Sequence, residues 1–179
     1  QKVMEFISTR GKDGPISFEA ALLNGLARDG GLYLPVSWPR FNLDEIRQME
    51  DLSYSDLAGL IMSRFTDGEI NQVEMTSLAR QSYADFTHPD VAPLRPVAEN
   101  IHILELFHGP TIAFKDYAMQ FLSRVFERVL SRQNRTAVIL GATSGDTGSA
   151  ALEAFKGRDS VDVFILFPDG RVSPVQQRQ

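Results

Sequence analysis

TAVILGATSGDTGSAALEAFKGRDSVDVFILF, residues 136–167, decides the fold class. It opens on a short apolar run, Thr136 to Leu140, and passes through a turn of small residues. A segment from Thr147 to Lys156 then carries apolar residues at helical spacing, and a second apolar run, Val161 to Phe167, follows. Runs of this length, rich in Val and Ile and bounded by Gly and Ser, read as strands. VIL and VFILF suit strands buried on both faces. Strand, helix, strand in that order is a unit whose strands run parallel. Upstream, Ile101 to Phe107 reads as a further strand. Lys115 to Arg132 reads as an amphipathic helix with Ala118, Phe121, Leu122, Val125 and Val129 on one face. The expected domain is α/β, built on a parallel sheet of these strands. Such sheets place ligands beyond the carboxyl ends of their strands, which directs attention to residues 107–116 and 141–148.

The residues before this region read differently. Ser17 caps a short helix carrying Phe18, Leu22 and Leu26, and Arg28-Asp29-Gly30-Gly31 breaks it. Residues 32–35 leave extended, and the stretch from Pro35 to Pro39, with Trp38, is loop. Ser53 and Asp56 open a helix with Leu57, Leu60, Ile61 and Phe65 at helical spacing, and Gly68 closes it. Another helix is expected from Glu69 to about Tyr83. Pro89 to Pro96 is a proline-rich connection. The expected division is a mostly helical subdomain over 1–92 and an α/β domain over 93–179. Ser173-Pro174 reads as an N-cap with proline at the first helical position, so a helix starts close to the last residue; this is expected of a truncated chain.

Composition narrows the function classes. The 179 residues are 43% hydrophobic and 23% charged, an ordinary globular balance. A net charge of -5 with scattered basic residues argues against a nucleic-acid partner. The chain has no cysteine, which excludes disulfides, thiolate metal sites and a cysteine nucleophile, and fits a reducing compartment. His88, His102 and His108 are too dispersed for a metal site, so no metal is expected. No apolar run is long enough for a membrane span, and QKVMEFISTRGKDG lacks the apolar core of a secretory signal. No membrane partner and a cytoplasmic location are therefore expected. The Phe121, Phe126, Phe155 and Phe164 rings sit at spacings that suit core packing.

The loop Gly141-Ala142-Thr143-Ser144-Gly145-Asp146-Thr147-Gly148 follows a strand and opens a helix. Small residues admit a ligand to the backbone, and a helix N-terminus offers N–H groups to an anion. It reads as a turn for a phosphate or a carboxylate, or as a tight turn with no ligand. Its GxxxGxxG spacing fits neither a dinucleotide fingerprint nor a P-loop. The other loop, Phe107-His108-Gly109-Pro110-Thr111-Ile112-Ala113-Phe114-Lys115-Asp116, puts a lysine at a helix start. A helix's positive end and an apolar neighbourhood disfavour the ammonium form, and a neutral lysine amine is a nucleophile able to form a Schiff base. The plain alternative is a solvated surface lysine. His108 is a candidate proton carrier or a turn histidine, and Asp116 reads as a first-turn helix residue.

Taken together, FHGPTIAFKDYAMQFL and GATSGDTGSAA resemble the lysine motif and the following loop of threonine synthases. ISTRG and ALLNGLARDGGLYLP resemble that family's opening segment. The resemblance implies the fold of the tryptophan-synthase β-chain group of pyridoxal 5'-phosphate (PLP) enzymes, fold type II. The chain would supply the helical N-terminal subdomain and the first part of the PLP-binding domain. It implies conversion of O-phospho-L-homoserine and water to L-threonine and phosphate. Lys115 would carry PLP and move protons, and Asp146 would lie beside the cofactor ring. Ser144, Gly145, Thr147 and Gly148 would hold the substrate carboxylate, and Thr111 would contact ligand. The parts expected to hold the PLP phosphate are not in this chain, so inactivity alone and self-association through cut sheet edges are expected. A phospholyase acting on the same substrate and a non-catalytic anion-binding fragment are the alternatives.

Overall fold

The computed structural model describes residues 3–66, 68–143 and 145–178. They fall into two compact units, Gln1–Arg80 and Gln81–Gln179.

In the first unit, β1 (Phe6–Ser8) pairs antiparallel with β2 (Tyr33–Pro35). Between them lies α1 (Phe18–Asn24), where the Ser17 hydroxyl accepts from the Ala20 N–H. The long connection is tied by carboxylates. Asp29 accepts from the Ser8 hydroxyl at 2.6 Å and from the N–H groups of Gly31 and Lys12. Asp13 accepts from the Tyr33 hydroxyl at 2.6 Å and from the Arg28 N–H. These bonds, led by those from Ser8 and Tyr33, hold both carboxyls below the ordinary aspartate range. Helix α2 (Leu43–Gln48) was not visible in the apolar periodicity. It is announced instead by a reciprocal capping box of Asn42 and Glu45. Ser53 caps α3 (Tyr54–Ser63) as its position before Asp56 requires. Helix α4 (Gln72–Tyr83) follows. Met75, Ala79 and Ile70 are buried, and Trp38 sets its ring edge-on to Phe65 at 6.1 Å while keeping most of its surface exposed.

In the second unit, β3 (Leu94–Ala98) and β4 (Ile101–Leu104) form an antiparallel hairpin. The expected place of Ile101 to Phe107 in the parallel sheet is therefore corrected. Ala98 pairs with Ile101, leaving Glu99-Asn100 as a two-residue turn, and Asn100 has a φ of 59°. Asparagine tolerates that conformation, and such turns join adjacent antiparallel strands. Helix α5 (Lys115–Arg132) then leads to β5 (Ala137–Ala142), α6 (Asp146–Phe155) and β6 (Val161–Leu166). Strands β5 and β6 are parallel, in register from Ala137 opposite Val161 to Ala142 opposite Leu166.

Phe121, Val125 and Val129 of the expected stripe of α5 are buried and Tyr117 joins them, whereas Ala118 and Leu122 are exposed, which shifts one edge of the expected face. The shift has a cause in residues 81–92. Tyr83 stacks on Phe121 at 6.4 Å, and Phe86 meets Tyr117 edge-on at 4.9 Å. The Tyr117 hydroxyl donates to the Val91 carbonyl at 2.7 Å. This aromatic cluster groups residues 81–92 with α5 in the second compact unit. Phe126 meets Phe155 edge-on and joins α5 to α6.

Only one face of the β5–β6 pair is covered. Val138, Leu140, Phe164 and Leu166 alternate onto an exposed face, so Phe164 is not a core residue here. Ile165 points the other way, against Gly148 of α6. No helix among the described residues is long and apolar enough to cross a membrane.

Candidate active site

Lys115 is the first residue of α5 and is half-buried. Its Nζ lies 4.4 Å from the centre of the Phe114 ring, and no carboxylate among the described residues lies within ion-pair distance. The loop before it is built to hold a shape. Asp116, with no exposed surface, accepts from the Thr111 N–H at 2.7 Å and from the Thr111 hydroxyl at 2.6 Å. Gly109 lies so close that a Cβ there would stand 2.5 Å from the Asp116 Oδ2, so only glycine fits. Ile112, clamped between these contacts, has a φ of 63°. That conformation is costly for a β-branched residue and persists only where neighbours enforce it. Asp116 is thus more than a first-turn residue: it is the anchor of the lysine loop. The sequence signal was a carboxylate five residues after a threonine, too short a pattern to single out.

His108 is engaged in the same way. Its Nε2 meets the Glu105 carboxylate at 2.8 Å, and the other Glu105 oxygen meets Arg95 at 2.8 Å. The Thr87 N–H donates to the His108 carbonyl. This is the setting of a turn histidine. Thr111, expected to contact ligand, is buried and spends its hydroxyl and N–H on Asp116.

The other loop is built differently. Gly145 is the N-cap of α6 and has no side chain to cap the first turn. Asp146 and Thr147 begin the helix, and both are half-buried. Gly148 is buried, and a Cβ on it would stand 2.7 Å from the Thr143 methyl and 2.9 Å from the Ile165 Cγ2. Its smallness therefore serves the packing of α6 on β5 and β6. Ser144, an expected ligand residue, lies outside the described residues. A cavity of about 400 Å³ opens beside the helix start, and its lining includes Thr143, Gly145, Gly148, Ser149, Asp169 and Gln176. Of the other expected residues, Asp146, Thr147 and Lys115 are not in its lining. Asp169 and Gln176 had not been singled out from sequence; the helix expected to start at Ser173-Pro174 is, over the described residues 174–178, a turn.

The donor chemistry fits PLP. A half-buried primary amine, free of a carboxylate partner among the described residues, is what an aldehyde cofactor requires. Comparison with known proteins bears on the same point. Residues 5–83 match the family described as threonine synthase N terminus. Threonine synthase of Pseudomonas aeruginosa is 49% identical over 98% of this chain.

The chain belongs to the threonine synthase family.

The PLP-bound threonine synthase of Brucella melitensis superposes with a TM-score of 0.94 at 52% identity over 98% of this chain. The yeast threonine synthase gives 0.90 at 42% identity over 96%. The chain spans 38% of the Pseudomonas and Brucella threonine synthases and 37% of the yeast one. Its α/β architecture is accordingly that of the corresponding part of these threonine synthases.

Proposed function

We propose that this chain is the N-terminal part of a threonine synthase converting O-phospho-L-homoserine and water to L-threonine and phosphate. The domain division proposed with it is an N-terminal subdomain over 1–92 and the first part of the PLP-binding domain over 93–179. The observation that carries the proposal is the setting of Lys115: an amine at a helix start, unpaired among the described residues, on a loop locked by Asp116. When bound, PLP supplies an electron sink for charge that develops next to the substrate's amino-bearing carbon. Lys115 would hold the cofactor and move protons at Nζ. Asp116, through Thr111, would keep that amine aimed. The N–H groups at the uncapped start of α6, with Ser144, Gly145, Thr147 and Gly148, would bind the substrate carboxylate, and Asp146 would face the cofactor ring.

On this reading the chain alone is inactive, its location is cytoplasmic, and its partner is the small-molecule substrate. Isolated, it self-associates through the exposed β5–β6 face, because contiguous apolar surface of that kind seeks cover.

The test is the absorbance of the full-length protein with PLP, beside Lys115→Ala. The expected result is a visible band from lysine-bound cofactor, lost in the variant, with borohydride-fixed cofactor on the Lys115 peptide. No band in the unaltered full-length protein would overturn the PLP reading. Product analysis separates threonine formation from phosphate elimination alone.

A further inference from the structure

After β6 the chain doubles back, and residues 173–178 form a capped turn. The Gln176 N–H donates to the Ser173 hydroxyl at 3.2 Å, and the Ser173 N–H donates back to the Gln176 Oε1 at 3.4 Å. The Ser173 hydroxyl also reaches that oxygen at 3.2 Å. The Gln177 N–H closes the turn on the Ser173 carbonyl at 3.0 Å. This is the reciprocal arrangement of a capping box. It settles which end of the side-chain amide is which, since reversing it would set two donors against each other at the Ser173 N–H.

With Oε1 held inward, Nε2 is directed away from the cap. It lies 2.6 Å from the point a Cβ on Gly145 would occupy. Gly145 and Gln176 line the same cavity, and neither Nε2 hydrogen has a partner among the described residues. An oriented amide with two unspent donors thus stands at the uncapped start of α6. Asp169 is the carboxylate among the described lining residues. An anion entering the cavity therefore needs strong donors on the Gly145 side.

We propose that Gln176 determines substrate affinity by donating from Nε2 to an oxyanion of the substrate seated at the start of α6. The chemistry recognised is a carboxylate or phosphate oxygen of a phosphorylated amino acid. The inference rests on the reading of residues 144–148 as the substrate-binding turn.

Gln176→Glu tests it in the full-length protein. Glutamate serves a capping box as well as glutamine, so the turn is retained. The variant differs by placing a negatively charged acceptor where the donor stood. A purely structural role predicts that Gln176→Glu behaves like the unaltered protein and that Gln176→Ala is the more damaging change. The binding role predicts the reverse. A hydrogen bond to a charged group corresponds to about 10- to 100-fold in affinity. The KM for O-phospho-L-homoserine should therefore rise by about that factor in Gln176→Glu, with kcat and thermal midpoint little changed. Inhibition by inorganic phosphate and by L-2-aminobutyrate, which has only the carboxylate, tells the two oxyanions apart. Weakened inhibition by either supports the proposal and names the group contacted. Unchanged KM and unchanged inhibition by both overturn it. The lysine-bound cofactor band keeps the two failures distinct. If the unaltered protein lacks it, the functional reading fails. If it is present in both proteins while affinities match, only the role of Gln176 falls.

Discussion

Residues 109–116 and residues 141–148 each lead into a helix, yet they are held in opposite ways. In the first, a fully buried carboxylate takes up the backbone and hydroxyl donors of Thr111, a glycine packs against it, and Ile112 is kept at positive φ. In the second, the N-cap is a glycine with no capping side chain, and the helix start opens on a cavity. The difference follows from what each loop is proposed to present. A loop that aims one side chain must be stiff, because a reacting group gains from being fixed in place. A loop that receives an anion must keep its N–H groups unspent, because a carboxylate at its cap would occupy the site and repel the ligand.

The comparison breaks most readily at Asp116. Asp116→Ala leaves the Thr111 N–H and hydroxyl without their buried acceptor and frees Ile112 from its constraint. The expected loss is about 3 kcal/mol in urea denaturation, with weakened retention of PLP in the full-length protein. Stability equal to that of the unaltered protein would mean that the lysine loop is not locked by this carboxylate.

Gly148→Ala sharpens the other side. The added methyl would meet Thr143 and Ile165 at less than van der Waals distance. Overpacking of this kind costs about 1–3 kcal/mol, so the midpoint of thermal unfolding should fall even in the absence of ligand. An unchanged midpoint would reassign Gly148 from packing to ligand approach.

The smallest effect concerns pH and extends the comparison to the first unit, where carboxylates also tie a loop. Asp29 and Asp13 have folded-state pKa values below the ordinary value because of their hydrogen bonds from Ser8 and Tyr33. The stability they contribute is present above the unfolded aspartate pKa and is lost as pH falls through the lowered folded values. Protection of residues 8–31 against hydrogen exchange, taken relative to the intrinsic rate at each pH, should therefore fall on acidification below about pH 4, and Asp29→Asn should flatten that dependence. Protection that ignores pH in this range would show that other contacts hold the loop.

Much of this was legible because it is local. The Ser17 and Ser53 caps, the helix from Lys115 to Arg132 and the unit β5-α6-β6 are written in short-range patterns of capping residues and apolar spacing. The two chemical loops were found the same way, as irregular stretches between periodic ones. Three features were not. Helix α2 has too few apolar residues to show a period, and its signal lay in Asn42 and Glu45. Strand β3 was hidden by its own proline, which an exposed hairpin tolerates. One edge of the buried face of α5 lies at Tyr117 rather than Ala118 because Tyr83 and Phe86, far away in sequence, supply the rings it packs against.

The sequence by itself determined which segments are helix and strand where caps and periodicity are strong, and it marked Lys115 and the Gly141 to Gly148 turn through residue types whose chemistry is intrinsic. Tertiary structure alone decided that β4 pairs with β3, that Asp116 anchors Thr111, and that Gln176 reaches Gly145. Each of these depends on groups brought together by the folded chain. A hydrogen bond or a close packing contact between them is set by distance and orientation in space, which no local pattern of residues encodes.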